Sequence, residues 1–169
     1  MQADWVVPVR SLIGKPGTME QKDFSVTLEE RWGTEIVAIP NGDSIGIELR
    51  LESVHEGILA TGNAFGMAKT ECSRCLQALD EAFRVAFQEL FAYSGQSDED
   101  LLVINNTVDI EEVVRDAVVI SFPFQPVCDE DCMGLCAECG ANLNDDPDHV
   151  HEGQIDPRWT ELKKLKEEE

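Results

Sequence analysis

The sequence predicts an α+β protein in which an antiparallel sheet, able to curl into a barrel, precedes one amphipathic helix and a cysteine-rich C-terminal lobe. Three observations predict this fold. Apolar and polar residues alternate through much of the first hundred positions, as they do in half-buried strands. One stretch near residue 110 carries apolar residues at helical spacing. Four of the six cysteines then fall within residues 128–139.

The length of the chain predicts one domain with a small appendage. It has 169 residues, of which 43% are hydrophobic, enough for a sizeable core. We expect a sheet-plus-helix core over residues 1–126, a cysteine-rich lobe over 127–156, and a C-terminal helix and tail over 157–169. The name "the lobe" is used below for residues 127–156.

The strand predictions rest on alternation and on turn residues. Phe24–Leu28 and Ile45–Leu51 each place an apolar residue at every second position. Gly57 then marks a tight connection into a long strand over residues 58–70, which leads directly to Cys72. The alternation resumes over Phe83–Phe91 and predicts a further antiparallel strand.

The helix prediction rests on end signals and an apolar stripe. Asp109 is the predicted N-cap, and Glu112 would complete a capping box. Pro123 ends the helix. Asp156 and Pro157 predict the start of a second, C-terminal helix. The apolar stripe of the first helix comprises Ile110, Val113, Val114, Ala117 and Val118.

The cysteine spacing predicts a zinc-binding protein. Two pairs, Cys72/Cys75 and Cys136/Cys139, have the two-residue gap that lets both thiolates reach one ion. Soft sulfur ligands select zinc over hard cations. Two nearby imidazoles extend the set, so eight side chains are candidate metal ligands. They are Cys72, Cys75, Cys128, Cys132, Cys136, Cys139, His149 and His151.

Spacing alone leaves three ways to share these ligands. Two ions could be held, one by Cys136, Cys139, His149 and His151 and the other by the remaining four cysteines. A single ion could instead be held by the four clustered cysteines. In the third arrangement the two CxxC pairs share one ion, as in zinc ribbons.

The same spacing argues against catalysis. Four protein ligands leave no open position for water, so such a site stabilises the fold by about 10 kcal/mol of binding free energy. The sequence contains no P-loop, no G-x-S-x-G elbow and no H-E-x-x-H motif. We therefore expect neither an enzyme nor a small-molecule substrate. A redox role for Cys72 and Cys75, with Arg74 stabilising a thiolate, is the weaker alternative.

The charge predicts the kind of partner. The formal net charge is −21, and ten acidic residues but no Lys or Arg lie between Arg115 and Arg158. This surface would repel nucleic acid, so direct nucleic-acid binding is not expected. Two interpretations of the acids remain: they face a basic protein, or they only keep the protein soluble. No apolar run approaches the roughly 18 residues that span a bilayer, and the N-terminus lacks the pattern of a secretory signal. We expect a cytoplasmic protein that does not enter membranes.

Several motifs, in order, resemble the YceD family, the large ribosomal RNA subunit accumulation proteins. They are C-S-R-C-L at 72–76, F-P-F-Q-P-V-C at 122–128, C-M-G-L-C-A-E-C-G-A-N-L-N at 132–144 and D-P-R-W-x-x-L-x-x-L at 156–165. Members often carry two further cysteines after the N-L-N, where His149 and His151 stand here. Other members lack much of the cysteine set, which implies a stabilising role for the metal.

The resemblance implies a cytoplasmic, non-enzymatic factor that supports accumulation of large-subunit ribosomal RNA. Family genes commonly lie beside one for a small large-subunit ribosomal protein. Together with the charge, this suggests that the acidic surface binds a basic ribosomal protein or a large-subunit precursor. The alternative is a zinc-containing interaction module or regulator unrelated to ribosomes.

Overall fold

The computed structural model describes residues 5–95 and 101–151. In that part of the chain there are eight strands and one helix. The strands are β1 (Val6–Pro8), β2 (Met19–Thr27), β3 (Trp32–Gly33), β4 (Val37–Ile39), β5 (Ser44–Ser53), β6 (Gly57–Glu71), β7 (Ala78–Ala92) and β8 (Thr107–Asp109), and the helix is α1 (Glu111–Ser121). The predicted C-terminal helix and tail lie outside the described residues.

The main sheet is built around the long hairpin of β6 and β7. β7 pairs antiparallel with all fifteen residues of β6. The other edge of β6 is shared, because β5 pairs with Ile58–Phe65 and β4 pairs with Lys69 and Thr70. β2 then extends the sheet beyond β5, and β3 extends it beyond β4. The hairpin therefore runs the length of the sheet and delivers Cys72 at one end.

The expectation of a barrel is wrong. Closure requires hydrogen-bonded pairing between the outermost strands. Among the described residues β2 pairs with β5 and β7 pairs with β6, but β2 and β7 do not pair with each other. The apolar face of β7 is covered by α1 instead of by an opposite wall of sheet. Phe83 on β7 packs edge-on against Phe122 at the end of α1, with ring centroids 5.9 Å apart. The sheet is antiparallel and open.

The predicted strands are present, and their alternation sets the core. The apolar residues of β5 between Ile45 and Leu51 are all buried, while their neighbours are partly or fully exposed. The predicted strand 58–70 is β6, extended by one residue at each end. The core also takes in β1 and β8, which form a separate two-stranded sheet, and Trp5, which stacks on Trp32 with centroids 5.0 Å apart.

The helix lies where it was predicted, but its N-terminal cap differs. The N-cap is Ile110, whose side chain makes no capping hydrogen bond, so Asp109 is one residue early. Asp109 Oδ1 still accepts a hydrogen bond from the backbone N–H of Glu111, at 3.0 Å. This bond satisfies one of the backbone N–H groups at the start of α1 that have no acceptor within the helix.

The apolar stripe of α1 is confirmed, since Ile110, Val114 and Val118 are buried. The helix ends before Phe122, which is extended, as the residue before a proline prefers to be. No helix in the described part of the chain is long and apolar enough to cross a membrane.

Candidate metal centres

The first group of candidate ligands joins the end of the sheet to the lobe. Cys72 follows β6 and Cys75 lies in the next turn, whereas Cys128 and Cys132 come from the segment after α1. All four sulfurs lie within 4.8 Å of one another, with 3.8 Å between Cys72 and Cys132 and 3.6 Å between Cys75 and Cys128. Tetrahedral zinc with bonds of about 2.3 Å separates its sulfurs by about 3.8 Å. The spacing therefore fits such an ion, and three of the four cysteines are buried.

The second group lies entirely within the lobe and is more exposed. Cys136 Sγ is 3.2 Å from His151 Nε2, and Cys139 Sγ is 3.2 Å from His149 Nε2. The two Nε2 atoms are 3.0 Å apart. Two thiolates and two imidazoles form a common structural zinc set, and all four ligand atoms again lie within 4.8 Å of one another.

The two CxxC turns share one backbone design. In each, the carbonyl of the first cysteine accepts a hydrogen bond from the N–H four residues on, at 2.9 Å for Cys72 and 2.8 Å for Cys136. The N–H of the same cysteine donates to the carbonyl five residues on, at 2.8 Å in both turns. The residue after the second cysteine has a positive φ, 60° at Leu76 and 75° at Gly140. This tight turn holds the two sulfurs on one side.

The segment 72–76, called the first turn below, is the attachment point of the lobe. The N–H of Ser73 donates to the carbonyl of Pro126 at 2.8 Å, and the N–H of Leu135 donates to the carbonyl of Arg74 at 3.1 Å. The Arg74 guanidinium donates to the carbonyls of Glu130 and Cys132, at 2.9 and 3.0 Å. The Arg74 guanidinium therefore clamps the backbone of the lobe, whereas the Arg74 backbone N–H donates to Cys72 Sγ at 3.4 Å.

The lobe also contains supporting residues that sequence reasoning missed. Asp146 Oδ2 lies 3.6 Å from His149 Nδ1, and Glu138 Oε2 lies 3.5 Å from His151 Nδ1. A carboxylate beside the far nitrogen orients a metal-binding imidazole. Asn144 donates from Nδ2 to Cys132 Sγ at 3.4 Å. Their sequence signal is the placement of acids and an amide within the cysteine-rich segment, where the acids by themselves indicate only surface charge.

The thiols of each group differ in acidity. Although burial raises the pKa of Cys72, hydrogen bonds from nearby backbone N–H groups outweigh it and lower that pKa to about 6. The hydrogen bond with Cys132 and then burial raise the pKa of Cys128 to about 12. In the second group the N–H groups of Cys139 and Glu138 lower the pKa of Cys136 to about 6. Each group therefore holds a thiolate, the form that binds metal, at neutral pH.

All eight predicted ligand side chains are brought together in two groups of four, and all six cysteines are free thiols. The grouping corresponds to the first of the three arrangements above. Each group could hold a metal ion with four protein ligands. The fold and these groups define a class of small α+β protein whose lobe is built around two candidate metal centres.

Comparison with known proteins gives the family. The sequence profile described as "Large ribosomal RNA subunit accumulation protein YceD" matches residues 60–166. An uncharacterized protein from Mycobacterium tuberculosis is 41% identical over 163 residues, covering 92% of this chain and 78% of the relative. One from Mycobacterium leprae is 38% identical over 164 residues, covering 93% and 75%. The chain belongs to the YceD family.

A shorter match is to a plant protein whose name states a function. The "Large ribosomal RNA subunit accumulation protein YCED homolog 1, chloroplastic" of Arabidopsis thaliana is 43% identical over 37 residues, which cover 22% of this chain and 12% of the plant protein. No solved structure matches the chain. The names of the family and of the plant relative suggest a ribosome-related role.

Proposed function

We propose that this protein is a non-enzymatic, cytoplasmic factor that supports accumulation of large-subunit ribosomal RNA by binding a basic ribosomal protein or a large-subunit precursor particle. Two zinc ions stabilise its lobe. The observation that carries the proposal is membership of the family described by that accumulation role. The −21 net charge supports a basic partner.

The chemistry of the two groups supports zinc in a structural role. Thiolate and imidazole are the ligands that zinc takes in closed tetrahedral sites, and hard cations prefer oxygen. Cys72, Cys75, Cys128 and Cys132 would hold one ion, and Cys136, Cys139, His149 and His151 the other. With four protein ligands each, neither ion has a position for water or substrate, which supports a factor without catalytic activity.

The exposed acids of the lobe support a cationic partner. Asp129, Glu130 and Asp131 are exposed, and none forms an ion pair with a described residue. A field of one sign steers oppositely charged proteins to the surface and makes the association rate fall as salt is added. A basic ribosomal protein would carry the complementary charge.

Depletion of the protein from its own cells tests the ribosomal role. Sucrose-gradient profiles should show fewer large subunits relative to small subunits after depletion, and re-expression should restore the ratio. An unchanged ratio would contradict the proposal and favour an interaction module unrelated to ribosomes. A pull-down at low salt, followed by washes of rising salt, should release basic large-subunit proteins progressively, whereas retention independent of salt would argue against electrostatic binding.

A further inference from the structure

Five large apolar side chains remain exposed around the first turn. Phe124 is 91% exposed and Leu76 is 60% exposed. Exposed apolar side chains that lie close together, with polar residues around them, mark interaction sites. We call this set the turn surface. It consists of Ile36, Leu76, Phe124, Val127 and Met133.

Backbone contacts place these residues at one end of the sheet. The carbonyl of Ile36 accepts a hydrogen bond from Thr70 Oγ1 at 2.8 Å, two residues before Cys72. The contact between Ser73 and Pro126 brings the segment holding Phe124 and Val127 beside the same turn.

Met133 is brought to the same place by its neighbour in the chain. Gly134 packs so closely that an added Cβ would lie 3.0 Å from the Arg74 carbonyl oxygen. Leu76 belongs to the turn itself, at a positive φ where glycine is the usual residue. The apolar residues of the turn surface thus gather where the lobe meets the sheet.

The charge around the turn surface selects the occupant. Asp129, Glu130 and Asp131 directly follow Val127 and Cys128. The Arg74 guanidinium of the first turn is the cation beside them, held by the carbonyls of Glu130 and Cys132, and no Lys or Arg lies between residues 115 and 158. A second copy of this chain would bring another net charge of −21, and nucleic acid would bring phosphates, so both are repelled. The protein's own residues 152–169 hold four Lys or Arg but six Asp or Glu, so their net charge of 4 − 6 = −2 does not complement the acids either.

We propose that the turn surface is a docking site for a lysine- and arginine-rich amphipathic segment of a partner protein. Its apolar side chains would pack on Phe124, Val127 and Met133, and its cations would face Asp129–Asp131. Apolar anchors surrounded by charge are the usual organisation of such peptide sites. This inference rests on the proposed function for its biological partner, but the surface can be tested without any ribosomal protein.

The probe is a fluorescein-labelled peptide of about 14 residues, roughly four helical turns, with Leu on one face and Lys on the other. Its binding to the full-length, zinc-loaded protein is followed by fluorescence anisotropy. We expect Phe124→Ser combined with Met133→Ser to weaken binding roughly tenfold, because it removes two apolar anchors. The matched control, Met19→Ser with Ile104→Ser, removes two comparably exposed apolar side chains outside the turn surface and should change the affinity less than twofold.

A second pair of variants separates attraction of the peptide to the turn surface from its attraction to the negative charge of the whole protein. Asp129→Asn with Asp131→Asn should weaken binding more than Glu112→Gln with Asp116→Asn, although both pairs remove two negative charges. Unchanged circular dichroism and zinc content would show that each variant is folded.

If each pair of substitutions in the turn surface weakened peptide binding no more than its control pair did, the docking site would be overturned. Equal affinity for a scrambled peptide and for the amphipathic one would overturn it as well. A concentration-dependent dimer that is lost in the Phe124→Ser variant would also overturn it, since a second copy would then be the occupant. None of these outcomes affects the sedimentation test, so failure of the docking site and failure of the ribosomal role remain distinguishable.

Discussion

Removing zinc from both groups should detach the lobe from the sheet without unfolding the sheet. Apart from the contacts between cysteine sulfurs, four hydrogen bonds join the first turn to residues 126–135, two between backbone groups and two from Arg74. At roughly 0.5–1.5 kcal/mol each, they contribute roughly 2–6 kcal/mol. Structural zinc contributes on the order of 10–16 kcal/mol. Ordering a residue costs about 1–2 kcal/mol, so the hydrogen bonds alone cannot hold a segment of this length.

Hydrogen exchange measured by mass spectrometry is the direct assay. After chelation under reducing conditions, peptides covering 128–143 should exchange much faster. Peptides covering β5 and the middle of β6 should keep their protection, because these strands pack in the main hydrophobic core, which does not include the cysteine cluster. Restoring zinc should restore the slow exchange. Unchanged exchange over 128–143 after confirmed metal loss would refute the reasoning, and simultaneous loss of protection in β5 would show that the sheet depends on the ion as well.

Three further predictions follow from burial and acidity. A chelator should remove zinc from the second group faster than from the first, because Cys139 is exposed whereas Cys72 is buried. The release can be followed with a colorimetric zinc indicator, and release of both ions at a single rate would contradict this prediction. The affinity for zinc should fall roughly tenfold or more between pH 7 and pH 5. The lowered pKa of about 6 keeps Cys72 and Cys136 as thiolates above about pH 6. As the pH falls below this pKa, protons compete with the metal for both sulfurs. A chelator-competition titration giving equal affinities at the two pH values would argue against it. Ile47→Ala, in the centre of β5, should lower the free energy of unfolding, measured by urea denaturation, by about 2–5 kcal/mol. Ile104→Ala, at an exposed position, should change it by less than about 0.5 kcal/mol. A similar small effect for both variants would show that Ile47 does not lie in the core.

The sequence predicted β2, β5, β6 and β7 because one face of each of these strands is more buried than the other. The alternation from Ile45 to Leu51 records a pattern that any packed sheet imposes, so β5 could be located before its partners were known. Closure of the sheet could not be judged in the same way. Closure depends on whether β2 pairs with β7. A barrel and an open sheet covered by α1 require the same alternation of apolar and polar residues, so the alternation does not distinguish them. The pairing of β1 with β8 involves only three residues in each strand and carries no periodic signal.

The candidate ligands were predictable, but their grouping was not. CxxC spacing reports that two sulfurs can reach one ion, a local property of the chain. Which pair joins which depends on the end of β6 approaching the segment after α1, a contact across more than fifty residues. The Asp109 cap was displaced by one residue because Ile110 is drawn into the core as the N-cap. Glu138 and Asp146 were overlooked because an acid beside a histidine resembles ordinary surface charge until the imidazole nitrogen is located.

The metal content of purified protein tests the central claim most directly. Protein isolated under reducing, chelator-free conditions should contain about two zinc equivalents, and Cys132→Ala and Cys136→Ala should each contain about one, because each removes a ligand from a different group. Less than about a tenth of an equivalent in the unmodified protein would contradict the account, as would the loss of both ions from Cys136→Ala, because the two centres would then not be independent.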